Sequence, residues 1–103
     1  MTAKRGQLTP AIQQRAKELL SIELTQKELR LMPFVQHSAI NEGFIDRQRI
    51  NAAELEILGE WEFLGFGDFI GNLSITKAFW DAMSELVWLG YVDYANQQEV
   101  QHG

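Results

Sequence analysis

The chain has 103 residues, 46% of them hydrophobic, no cysteine and a formal net charge of −5. That length fits one domain and supports a core without covalent staples. The missing thiols exclude disulfides, thiolate metal sites and a cysteine nucleophile.

The charge is unevenly placed. Residues 1–50 hold eight Lys and Arg against five Asp and Glu, a net of +3, whereas residues 51–103 hold one lysine against nine carboxylates, a net of −8. A negative total disfavours non-specific nucleic-acid binding, and a two-signed distribution favours docking between complementary surfaces. The first residues, MTAKRGQL, lack an apolar signal core, and the longest apolar run, Leu86 to Val92, is far short of the ~20 residues needed to span a bilayer. A cytoplasmic protein with no membrane association is expected.

Four aliphatic residues are each followed by a side-chain oxygen suited to cap a helix: Leu8-Thr9, Leu24-Thr25, Ile50-Asn51 and Leu73-Ser74. These predict four helices in one domain over residues 9–94, preceded by a flexible terminus (1–8) and followed by a disordered polar tail (95–103). Thr25 with Glu28 and Asn51 with Glu54 have the spacing of capping boxes. Helix one runs from Pro10 to about Ser21 and buries Ile12, Ala16, Leu19 and Leu20. Helix two runs from Gln26 to about Glu42 with Leu29, Met32, Val35, Ala39 and Ile40 inward. Pro33 predicts a kink there and Gly43 ends the helix in the left-handed conformation. FIDRQRI, residues 44–50, reads as an extended connector or short strand with Arg47 and Arg49 on the same side.

Helix three, Ala52 to about Leu64, buries Leu55, Ile57, Leu58, Trp61 and Leu64 and leaves Glu56, Glu60 and Glu62 outward. Glu56 and Glu60 are a like-charge pair four residues apart, which costs a few tenths of a kcal/mol, about 0.2–0.5, unless a basic partner neutralises it. The glycine-rich loop GFGDFIGNL then carries Phe66 and Phe69. On a wheel of ~100° per residue the apolar residues of helix four fill an arc of roughly 200°, so the helix is enclosed on more than one side. Ser84, Lys77, Trp88, Asp81 and Glu85 occupy its open arc, and Trp88 is the large apolar side chain left outside. Gly90 ends that helix and Tyr91–Tyr94 form a short β segment. The fold class is mainly α: about four helices and a short C-terminal β segment.

No catalytic constellation emerges. His37 and His102 form no ligand pair, and none of Ser21, Ser38, Ser74 and Ser84 sits in GxSxG. Gly65, Gly67 and Gly71 give GxGxxxG, which misses the dinucleotide spacing and follows a helix. Glu54, Glu56, Glu60, Glu62 and Asp68 form an acidic cluster read as a solvated face or a docking surface for a basic partner. Neither an enzyme activity nor a cofactor or metal is expected.

From Ile45 to Tyr94 the order extended FIDRQRI, helix, then SITKAFWDAMSELVWLGYVDY resembles a winged-helix domain. That resemblance implies a winged-helix-like arrangement, with helix four as a recognition helix and a DNA-binding regulator as one reading. The open arc of helix four nevertheless carries Asp81 and Glu85. Phosphate contacts would fall to Lys4, Arg5, Arg15, Lys17, Arg47 and Arg49. The segments ELRLMPFVQHSAINEGFID and ITKAFWDAMSELVWLGYVDY also resemble small accessory proteins encoded by bacteriophages and prophages of enteric bacteria. This second resemblance implies a source and brings no catalytic residue. The leading expectation is a non-enzymatic interaction module, self-associating or docking on a host protein through Trp88, Phe66, Phe69, Glu56, Glu60 and Glu62.

Overall fold

The computed structural model describes residues 3–95. In chain order it contains α1 (Pro10–Leu20), α2 (Gln26–Asn41), a 3-10 turn (Arg47–Arg49), α3 (Ala52–Phe63), β1 (Gly67–Asp68), β2 (Ser74–Ile75) and α4 (Lys77–Tyr91). The chain is thus mainly helical, with four helices and a short two-stranded sheet among the described residues.

Local chemistry fixes most helix starts. Thr9 Oγ1 accepts the Ile12 N–H ahead of Pro10 in the first helical position, and both capping boxes form, Thr25 with Glu28 and Asn51 with Glu54. Gly43 adopts φ +80° after α2 and its N–H donates to the Ser38 carbonyl at 2.8 Å. α2 continues through Pro33 without interruption, although the ring removes the N–H that would have met the Leu29 carbonyl. Residues 47–49 of the expected extended connector form a 3-10 turn instead, because the Asp46 carboxylate accepts the Gln48 N–H and caps it.

The β residues lie in the glycine-rich segment, not at Tyr91–Tyr94. Gly67 pairs with Ile75 and Asp68 with Ser74 in an antiparallel hairpin, so Ser74 is a strand residue and Thr76 caps α4. α4 runs on through Gly90 to Tyr91, and no strand follows it up to Ala95. The reason is tertiary. Gly90 lies against α1 and α2, where an added Cβ would stand 3.5 Å from Leu29 and 3.7 Å from Ile12, and its carbonyl accepts the Gly6 N–H. With the hairpin ahead of α4 and none after it among the described residues, the strand order of a winged helix is not reproduced.

The core is built on α4, which packs against α1 and α2, while α2 also packs against α3. Its densest part is aromatic. Phe79 meets Trp61 edge-on at 5.0 Å, Phe69 edge-on at 5.9 Å and Phe66 in a stack at 4.5 Å. Such pairs add about 0.5–1.5 kcal/mol each beyond area burial. Trp61 is fully buried, and its indole N–H donates to Glu28 Oε2 at 2.9 Å. Glu28 Oε1 meanwhile accepts the Thr25 N–H of the capping box.

Two glutamine side chains hold the irregular segments. Gln13 both donates to the Leu24 carbonyl and accepts the Leu24 N–H, at 2.7 and 2.6 Å, and Gln26 likewise bridges the Gly6 carbonyl and the Leu8 N–H. From residue 3 onward, then, the segment that composition assigns to a flexible terminus makes specific contacts: Ala3 is buried and the Arg5 guanidinium lies over the Tyr91 ring. Of the expected polar tail, residues 96–103 lie outside the described residues.

Three substitutions test this architecture. Gly67 has φ +152°, and a Cβ there would stand 2.3 Å from the Ser74 carbonyl oxygen. Gly67→Ala is expected to cost on the order of 2–3 kcal/mol in urea unfolding. Gly71→Ala, where a Cβ meets open space, should stay within about 0.5 kcal/mol of wild type. Glu28→Ala leaves a buried indole N–H without its acceptor and removes half of a capping box, so it should destabilise by about 2–3 kcal/mol; an unchanged midpoint would contradict the role given to Glu28.

Candidate interaction surface

The acidic cluster divides by role once it is folded. Glu54 is spent on its capping box. Glu62, expected on an outward docking face, instead turns towards the hairpin, where one carboxylate oxygen accepts the N–H groups of Phe69 and Ile70 at 2.7 and 2.9 Å. These bonds, Ile70 first, hold its carboxyl below the usual carboxylate range. Glu56 and Glu60 remain outward and exposed. They line an open groove of about 460 Å³ with Ala53 and Ile57, opposite Thr25 and Lys27. Among the described residues no three His, Cys, Asp or Glu side chains are grouped to hold a metal ion.

Phe69 is fully buried and Phe66 is half-buried on Phe79, so both phenylalanines of the glycine loop serve the core instead of a partner. The cause is the Glu62 clamp, which folds the loop back over α3. In their place the structure exposes Phe63, at 89%, with Leu64 at 44% just beyond it. Phe63 was open to discovery from sequence: on the helical wheel it falls about 160° from Trp61, among the glutamates. Trp88 is 54% exposed, as its wheel position indicates, and Val92, one turn on, is 57% exposed. Ile40, expected inward on α2, is 70% exposed because the last turn of that helix extends beyond the core.

The basic residues are dispersed and partly engaged. Arg15 forms a bidentate pair with Glu85 and reaches Glu18 at 3.0 Å, tying α1 to α4. That network raises the Arg15 pKa and lowers that of Glu85. Arg49 meets Glu42 at 3.4 Å and stacks over Phe34. Lys4 and Arg5 lie near the end of α4 by Gly90. Arg47 and Arg49 follow α2, whose carboxyl end points towards the start of α4, since Leu29 is near Gly90 while Gln36 donates to Ser84. Lys17 is exposed on α1. The two pairs, Lys4 with Arg5 and Arg47 with Arg49, therefore lie towards opposite ends of α4. No described helix is long and apolar enough to cross a membrane.

The Glu62 clamp sets a pH dependence. Because its pKa is lower in the folded chain than the ordinary 4.5, its contribution is complete above that value and is lost as pH falls through the folded pKa. Unfolding curves at a series of acidic pH values should show a shallower acid loss in Glu62→Gln than in wild type, and equal slopes would remove Glu62 from this role.

The full chain was compared with protein-family models, curated proteins and solved structures, and it matches none of them.

Proposed function

We propose that the chain is a non-enzymatic protein-interaction module, an accessory or regulatory protein of phage or prophage type that docks on a host protein or on itself. The observation that carries this reading is the exposure of large apolar side chains at separate places on a well-packed fold: Phe63 at the end of α3, and Trp88 with Val92 on α4. Aromatic residues of this kind are enriched among the anchors that dominate interface energy.

The reading draws further support from the charge division along the chain. The DNA-binding alternative has less behind it. The hairpin precedes helix four, Arg15 and Arg49 are held by carboxylates, and the remaining cations are scattered.

Affinity purification from an extract of an enteric bacterium, together with light scattering on the purified chain, tests the proposal. Wild type should retain a protein in stoichiometric amount or form a concentration-dependent oligomer, and Trp88→Ala or Phe63→Ala should diminish it. A strict monomer that retains nothing beyond an unrelated control protein would sink the reading.

A further inference from the structure

The outward face of α3 carries three features that disfavour the isolated chain and that its own packing does not explain. Glu56 and Glu60 repel one another across one turn, and neither forms an ion pair among the described residues, although Lys27 lines the same groove. Gly59 lies between them in mid-helix, where glycine weakens a helix relative to alanine. Its φ is not positive and a Cβ there would meet open space, so nothing in the fold requires the missing side chain. Phe63 follows one turn later with most of its ring in solvent.

At ~100° and 1.5 Å per residue these four positions fall within an arc of roughly 100° and a length of about 10 Å, on the side of α3 away from Trp61. A single kind of partner relieves all three costs. It carries positive charge to pair with the glutamates, approaches closely enough to use the bare Cα of Gly59, and offers apolar surface to Phe63.

We propose that this face is the docking surface for a basic amphipathic helix of a partner protein, with lysines or arginines one turn apart facing Glu56 and Glu60 and its backbone crossing α3 at Gly59. The inference rests on the reading of the chain as an interaction module and names the partner chemistry of one surface. Charge complementarity sets the occupant: the face is anionic with an aromatic end. A second copy presenting the same face is a poorer fit, because it would set its own Glu56 and Glu60 against this pair.

The test uses the full chain and a fluorescent helical peptide of leucine and lysine with lysines four apart, beside a counterpart with glutamate for lysine. Anisotropy should show binding of the lysine peptide alone. Gly59→Leu should unfold no earlier than wild type yet bind at least about tenfold more weakly, as should Glu56→Lys/Glu60→Lys. Glu23→Lys/Asp81→Lys, which changes net charge equally at exposed positions off α3, should stay within about twofold of wild type. The proposal is overturned if Gly59→Leu binds as wild type does, or if the control pair loses as much as the α3 pair. It is overturned equally by a homodimer that dissociates in Glu56→Lys/Glu60→Lys, which would make a second copy the occupant. Retention of a cellular partner through Trp88, with the peptide ignored, also overturns it while leaving the interaction reading intact.

Discussion

A buried indole has one polar atom to satisfy, and here the acceptor is a glutamate already committed to a helix cap. Glu28 accepts the Thr25 N–H with one oxygen and the Trp61 indole N–H with the other. The first turn of α2 is thereby joined to the last turn of α3, and the rotation of α3 about its own axis is fixed. Trp61 then meets Phe69 and Phe79, so the hairpin loop and the start of α4 take their places from the same ring. An unmet buried N–H costs about 1–3 kcal/mol, a sizeable fraction of the 5–15 kcal/mol by which a domain is stable.

Fixing one side of α3 also fixes the other. With Leu58 and Trp61 buried, Glu56, Glu60 and Phe63 have no choice but to face solvent. The inner face is paid for in the core; the outer face is left with a like-charged pair and an aromatic ring. Core geometry and the candidate interface are thus two consequences of one helix orientation. Glu62, on neither of these arcs, is free to turn to the hairpin and close the glycine loop over the aromatic cluster.

What was legible in the sequence was local. Thr9-Pro10, the Thr25 and Asn51 capping boxes and the left-handed Gly43 depend on neighbours within a few residues, and each formed as the spacing indicates. The exposure of Trp88 was legible because α4 has a clear apolar arc. α3 does not: its apolar residues surround much of the axis, and the wheel position of Phe63 among the glutamates is easily overlooked. The remaining differences are non-local. Gly90 stays helical because Ile12, Leu29 and Gly6 enclose it, and the two-residue strands exist because Gly67 tolerates a close approach to Ser74. Likewise Phe69 is drawn inward by a carboxylate seven residues earlier, a pairing that no helical periodicity announces.

The bond from the Gly6 N–H to the Gly90 carbonyl, with Arg5 over Tyr91, has a topological consequence. It brings the two ends of the described chain side by side at one end of α4. Because residues 5–6 already touch residues 90–91, a short linker joining these two segments and a break opened in a surface connection would leave the core uncut.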